Sequence, residues 1–158
     1  LEIKPEKAIK LEKDALAQIE NITADNARLV SNLHANLGGL YRMNGHPDLA
    51  REHMEKSISL LDQFNLLHIN DSIPQIANYA MFLTEQQEPE RGISELQKLS
   101  GIIKEYHSDD CLDYAKVQET LGTIYLMTAN LPQAKTHFKR AFKIYEKIWA
   151  DEPEMIEA

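Results

Sequence analysis

Cysteine and long apolar runs are scarce in this sequence, and each scarcity excludes a class of protein. The chain of 158 residues has one cysteine, Cys111, so it cannot form an internal disulfide, which fits a reducing compartment. No apolar run approaches the roughly 20 residues that a membrane-spanning helix needs. No signal peptide is visible either. We therefore expect a cytoplasmic protein that does not bind membranes.

Long runs of lysine and arginine are also missing. The net charge is −8, from 25 acidic and 17 basic residues. Since nucleic-acid interfaces carry clustered positive charge, this domain is not expected to bind nucleic acid. The composition, 43% hydrophobic and 27% charged, is typical of a folded domain and argues against disorder.

Motifs for catalysis or metal binding are absent as well. The two aspartates before Cys111, Asp109 and Asp110, disfavour the thiolate that a nucleophile needs. There is no glycine-rich phosphate loop and no nucleophile elbow. The histidines show no metal-ligand spacing; they are His34, His46, His53, His68, His107 and His137. We therefore predict a non-enzymatic protein without cofactor or metal.

A repeat of 42 residues is the main feature that is present. Small residues recur at this spacing at Gly38, Ala80 and Gly122. Four further columns keep their size class: Tyr41, Leu83 and Tyr125; Ala50, Gly92 and Ala134; Met54, Leu96 and Phe138; Ser57, Leu99 and Ala141. Self-similarity at a fixed period predicts tandem copies of one structural element.

Each repeat has the pattern of two helices joined by a short turn. In the first repeat, Asn44-Gly45 is a helix terminator, and Pro47 falls in the first turn of the next helix. We predict about seven helices in a single domain, 1–158. Its parts are the second helix of a partial repeat (5–21), three repeats (24–66, 71–107 and 110–150), and the start of a truncated further repeat (151–158).

The small residues suggest close helix crossings. Glycine inside a helix costs roughly 1 kcal/mol relative to alanine, so its presence indicates a packing requirement. Gly122 and Ala134 are expected to meet within the third hairpin, and Ala141 is expected to face the next hairpin. Ile148 and Trp149 are expected to lack a neighbour, so self-association through exposed repeat ends is a further expectation.

The pattern of the third repeat resembles the tetratricopeptide repeat. The matching residues are Leu121, Gly122 and Tyr125, followed by Ala134, Phe138 and Ala141. The 42-residue period is similar to the longer repeats of kinesin light chains and related bacterial proteins. This resemblance implies an all-α fold, a right-handed α-solenoid of stacked antiparallel helical hairpins. It also implies a concave groove, lined by the first helix of each hairpin, that binds extended peptides.

The resemblance also implies which residues contact the peptide. In kinesin light chain-like repeats, asparagines two positions before the small residue hold the peptide backbone, and Asn36 and Asn78 match that column. An amide suits this role because it offers both a donor and an acceptor. The alternative is that asparagine merely tolerates a half-exposed helix face. The predicted peptide-binding residues are Asn32, Asn36, Arg42, Asn78, Met81, Lys116, Glu119 and Thr120.

Three functions remain open from the sequence. The first is an interaction module, a scaffold or adaptor that binds a protein or peptide partner in its groove. The second is the peptide-sensing domain of a bacterial transcriptional regulator. The third is a regulatory or oligomerisation arm of a larger enzyme. Since Thr120 departs from the asparagine column, a peptide in the groove is expected to be bound most tightly over the first two hairpins.

Overall fold

A computed structural model describes residues 4–151, and these residues form seven α-helices and no strand. The helices are α1 (Pro5–Ala17), α2 (Ala27–Met43), α3 (Pro47–Gln63), α4 (Ser72–Glu85), α5 (Pro89–Tyr106), α6 (Leu112–Met127) and α7 (Leu131–Asp151). The predicted start of a further repeat at 151–158 lies, except for residue 151, outside the described residues.

Proline marks the beginning of three of these helices. Pro5, Pro47 and Pro89 each occupy the first positions of a helix. The missing N–H of proline costs nothing there, because the first N–H groups of a helix have no partner within the helix.

The three hairpin turns share one backbone conformation. Each contains a residue with positive φ at the same repeat position: Gly45 (73°), Gln87 (65°) and Ala129 (58°). The next residue donates its N–H to a carbonyl five positions earlier: His46 to Tyr41 (2.9 Å), Glu88 to Leu83 (2.8 Å) and Asn130 to Tyr125 (2.8 Å). This is the hydrogen-bond pattern of a helix ending in a left-handed residue. The 42-residue period therefore repeats in the turns as well as in the helices.

Contacts divide the chain into two compact units, one up to Tyr79 and one from Ala80 onward. The helix α4 contributes to both. In the first unit, α2 packs against α1 and α3. Its core contains Val30, Leu37, Ala50 and Leu61, all at most 2% exposed.

The second unit contains the rest of α4 and helices α5, α6 and α7, with α6 packed against α5 and α7. A Cβ atom added at Gly92 would lie 2.7 Å from the carbonyl oxygen of Ala80, which is too close for any side chain. The small residues at these two positions therefore allow the backbones of α4 and α5 to approach, as the sequence predicted.

In the other two hairpins, the atom nearest to a Cβ added at the glycine belongs to a side chain rather than to the backbone. A Cβ atom at Gly38 would lie 2.6 Å from Cγ of Met54, and one at Gly122 would lie 2.8 Å from Cδ1 of Phe138. The sequence paired Gly122 with Ala134, but the atoms nearest to that Cβ belong to the Phe138 ring. At both positions glycine makes room for a large side chain of the second helix. At Gly38 the α3 backbone is close as well, because the carbonyl oxygen of Ala50 would lie 3.3 Å from the added Cβ.

Candidate functional site

The first unit contains a groove between α2 and the beginning of α4. A hollow of about 140 Å³ is lined by Ala35, Gly39, Arg42 and Met43 of α2, Met54 and Ser57 of α3, and Gln75 and Asn78 of α4. An adjoining recess of about 390 Å³ shares Ala35, Gln75 and Asn78 and adds Asn32, Asn36, Asp71 and Pro74. We call the two together the α2–α4 groove.

Small side chains on α2 open this groove. Apart from the neighbouring backbone of α2, no atom of the described residues lies within 4 Å of the position that a Cβ of Gly39 would take. Ala35 adds only a methyl group, and below them Met54 is 4% exposed. Since methionine is flexible and polarisable, it adapts to differently shaped side chains. The result is a short apolar depression bordered by amides.

A buried polar cluster fixes the spacing of the helices that form the groove. The hydroxyls of Ser31 and Ser57 both donate to Oε1 of Gln75, at 2.8 Å and 2.6 Å. Ser31 and Ser57 are at most 1% exposed, and their Oγ atoms lie 3.1 Å from each other. Because an unpaired buried polar group is costly, this arrangement ties α4 to α2 and α3 in one geometry.

A second set of polar contacts closes one end of the groove. Nε of Arg28 donates to Oδ2 of Asp71 at 2.6 Å, and the Asn32 amide donates to the same oxygen at 3.4 Å. The hydrogen bond from Arg28 is the main reason that the pKa of Asp71 lies below its usual value. Asn32 also accepts a hydrogen bond from the Gln75 amide. Both ends of the Asn32 amide are therefore used within the protein.

The two asparagines of the predicted peptide-binding column differ in their contacts. Both are exposed and line the groove. Nδ2 of Asn36 donates to Oε1 of Glu12 at 3.1 Å. Asn78 makes no hydrogen bond to any residue within 4–151, so its donor and acceptor both remain available.

Glu12 occupies a position where the later repeats place a large apolar residue. Its counterparts 42, 84 and 126 residues later are Met54, Leu96 and Phe138. Its second oxygen, Oε2, is buried and accepts no hydrogen bond from the described part of the chain. Glu12 thus holds the Asn36 amide in one orientation, which leaves the Asn36 carbonyl oxygen for another partner.

The other predicted residues are divided between the two units. Arg42 lines the α2–α4 groove. Met81 on α4 and Lys116, Glu119 and Thr120 on α6 belong to the second unit and are not among the residues that line the groove.

The three α6 residues already have contacts of their own. Lys116 lies 3.9 Å from Asp113, and the Thr120 hydroxyl donates to the Lys116 carbonyl. Glu119 accepts a hydrogen bond of 2.8 Å from the Tyr145 hydroxyl. Burial, together with that hydrogen bond, raises the pKa of Tyr145 to about 12.

Among the polar residues of the groove, the predicted set lacks three: Ser57, Asp71 and Gln75. Ser57 was assigned to the column of Ser57, Leu99 and Ala141, where only side-chain size was considered. Asp71 precedes α4 in the chain, and its carboxylate binds Arg28 of α2. The available signal was a serine among leucine and alanine in the column of Ser57, Leu99 and Ala141, because a hydroxyl at a core position needs a partner.

Stacked helical hairpins with a shared turn geometry define the class of helical repeat solenoids. The tetratricopeptide repeat family matches residues 72–147. This region consists of tetratricopeptide repeats, and the resemblance predicted from the sequence is confirmed.

Two solved structures are similar to the chain. One is BtubC (BKLC) from P. vanneervenii, with 20% identity, a TM-score of 0.77, and coverage of 90% of this chain and 56% of that one. The other contains nearly identical TPR-like repeats ascribed to a kinesin light chain of Podosopora anserina, with 14% identity, a TM-score of 0.78, and coverage of 92% and 69%. This chain therefore spans little more than half of the first structure. The predicted all-α solenoid fold is confirmed.

Tetratricopeptide repeats generally mediate contacts between proteins and are typically non-enzymatic scaffolds. A search of curated proteins found no match. Among the described residues, no group of three His, Cys, Asp or Glu side chains is placed to hold a metal ion. Within the same residues, every helix is too short or too polar to cross a bilayer.

Proposed function

We propose that the chain is a non-enzymatic scaffold or adaptor that holds an extended peptide segment of a partner protein in the α2–α4 groove. The observation that carries this proposal is the Asn78 amide, which is exposed, unpaired among residues 4–151, and adjacent to an apolar hollow. A peptide unit needs one donor and one acceptor, and this side chain offers both. A cytoplasmic location stays a prediction.

The neighbouring contacts support an arrangement that is preformed. Gln75 is held by two serine hydroxyls, and Asn36 is held by Glu12, so neither has to be ordered when a peptide arrives. Preorganisation of this kind raises affinity because less conformational entropy is lost on binding. The hollow beside Asn78 is large enough for one apolar side chain of the peptide.

The test starts with peptides selected from a random displayed library on the wild-type protein. The double variant Asn36→Ala/Asn78→Ala should bind the selected peptides about tenfold more weakly, since it loses two amide contacts. Its helicity and melting temperature should not change. Asn70→Ala is the matched control, because Asn70 is exposed in the same unit but lies outside the groove. Equal affinity of the double variant and the wild type would refute the groove proposal.

A further inference from the structure

The second helix of the last hairpin carries a stripe of lysines. Lys135, Lys139, Lys143 and Lys147 recur at every fourth residue of α7 and are all exposed. At 1.5 Å per residue the stripe is about 18 Å long. It lies on the side of α7 away from its buried residues, which are Ala134, Ala141 and Ile144.

The repeat does not require this stripe. Its fixed columns are the small and apolar positions that pack one helix against another. The residues 42 positions earlier, in α5, are Ile93, Gln97, Gly101 and Glu105. Those 84 positions earlier, in α3, are Arg51, Glu55, Ser59 and Gln63. Only α7 has lysine at all four positions, in a chain whose net charge is −8.

The stripe also opposes the stability of its own helix. Like charges four residues apart on a helix repel each other. Lys147 forms an ion pair with Asp110. Lys135, Lys139 and Lys143 form no ion pair with any residue in the described part of the chain. Asp110 also attracts Lys143, so the repulsion is compensated within the second unit at Lys143 and Lys147 but not at Lys135 and Lys139.

Carboxylates of the chain itself already occupy one end of the stripe. A recess of about 510 Å³ is lined by Asp109, Asp110, Arg140, Lys143, Ile144 and Lys147. In it, Asp109 lies 3.7 Å from the Arg140 guanidinium. The hydrogen bond from Lys147 lowers the pKa of Asp110. The other end of the stripe, at Lys135 and Lys139, is not covered in this way.

We propose that the lysine stripe of α7 binds an acidic segment of a partner polypeptide, at a surface separate from the α2–α4 groove. Successive lysines are about 6 Å apart along the helix axis, close to the roughly 6.6 Å between alternate residues of an extended chain. Carboxylates on every second residue of an extended segment therefore match the lysines one to one. A single narrow row flanked by Asp109, Asp110 and Glu146 suits such a segment better than a wide anionic surface.

The test uses a labelled decapeptide of alternating Glu and Ser, and a matched peptide of alternating Gln and Ser, in fluorescence anisotropy at low salt. The Glu peptide should bind at least about tenfold more tightly and should lose affinity as salt is added. The variant Lys135→Glu/Lys139→Glu/Lys143→Glu should lose this binding. Lys4→Glu/Lys7→Glu/Lys10→Glu, which changes the net charge equally in the first turns of α1 and at the residue before it, should bind within about twofold of wild type.

Equal losses in both triple variants would overturn the proposal, since they would show an effect of net charge alone. Tighter binding to the stripe by phosphatidylserine vesicles or by a ten-nucleotide DNA would also overturn it. Lys139→Glu alone creates two opposite-charge pairs at four-residue spacing, so it should fold at least as well as wild type and still weaken peptide binding. Asn78→Ala should leave this binding unchanged, which separates the stripe from the groove.

Discussion

Nδ1 of His34 lies 2.8 Å from Nδ1 of His53, and the two rings belong to adjacent helices of the first unit. At this distance one nitrogen donates a proton and the other must be unprotonated. Tyr41 stacks on the His53 ring at 5.4 Å. The same stack recurs 84 residues later, where Tyr125 lies on the His137 ring at 5.3 Å. The histidine pair is therefore a variant of a contact that the repeat preserves.

This pair predicts that stability falls in mild acid. Burial, with a further contribution from His53, lowers the pKa of His34 from 6.5 to about 4. The unfolded chain therefore binds a proton between pH 6.5 and about 4 that the folded chain does not bind. The stabilisation is complete above pH 6.5 and is lost as the pH falls through this window. We expect a loss of about 1 kcal/mol, because the half-exposed ring is partly screened by solvent.

The third hairpin suggests the control for this prediction. Gln118 stands where the first repeat has His34, and its Oε1 lies 2.9 Å from Nδ1 of His137. His34→Gln should therefore keep the hydrogen bond to His53 and match the wild-type melting temperature at pH 7.5. Thermal melts between pH 7.5 and 4 should show a smaller decrease for this variant. Identical decreases would contradict the role assigned to the pair.

Two glycines of α5 predict opposite effects of the same substitution. A Cβ at Gly92 would collide with the Ala80 backbone. Around a Cβ at Gly101, the described residues place no atom within 4 Å apart from the neighbouring backbone of α5. Gly92→Ala should destabilise the protein by about 1–3 kcal/mol, because the α4 backbone cannot move aside. Gly101→Ala should stabilise it by about 0.5–1 kcal/mol. Urea unfolding measures the stability of both variants. Changes of equal sign would contradict the close approach of the α4 and α5 backbones.

The hairpin turns predict a stabilising change. Ala129 adopts φ of 58°, at the turn position that Gly45 occupies in the first hairpin. The left-handed backbone conformation destabilises a residue that has a side chain by about 1 kcal/mol, whereas glycine adopts it without this cost. Ala129→Gly should therefore raise the free energy of unfolding by about that amount, and Gly45→Ala should lower it. A destabilised Ala129→Gly variant would mean that the turn geometry is not as described.

The fold could be predicted from the sequence because close helix packing constrains the size of the side chains and their spacing along the chain. The columns of Gly38, Ala80 and Gly122 predicted paired helices, and Asn44-Gly45 predicted the turn. The family resemblance supplied the solenoid, which size columns alone do not distinguish from other stacked hairpins.

Only part of the candidate site could be predicted from the sequence, because hydrogen bonds between side chains depend on how residues distant in the chain are brought together. The sequence placed Asn36 and Asn78 in one column of the repeat. It could not show that Glu12 holds the Asn36 amide or that the Asn78 amide has no partner among the described residues. Glu12 stands in a column of large apolar residues, yet it is half-buried and hydrogen-bonded to Asn36. Likewise, Gln75 carries no sequence signal, because its partners Ser31 and Ser57 are distant in sequence.

Glu12 predicts opposite changes in stability and binding. Its Oε2 is buried without a partner among the described residues, and Met54 fills the equivalent position one repeat later. Glu12→Met should therefore stabilise the protein by about 1 kcal/mol. The same variant should bind groove peptides more weakly, because Asn36 is no longer held. Melting and peptide affinity should be measured on one preparation, and Asp14→Met on the same helix is the control. Unchanged binding would show that Glu12 does not position Asn36.

The most direct measurement of the central claim is the side-chain amide signal of Asn78 in a nitrogen-15 spectrum, recorded while a library-selected peptide is added. If Asn78 grips the peptide backbone, its two amide protons should shift in proportion to occupancy and exchange more slowly with water. The Asn70 amide should stay unchanged. A bound peptide that leaves the Asn78 signal unmoved would contradict the account.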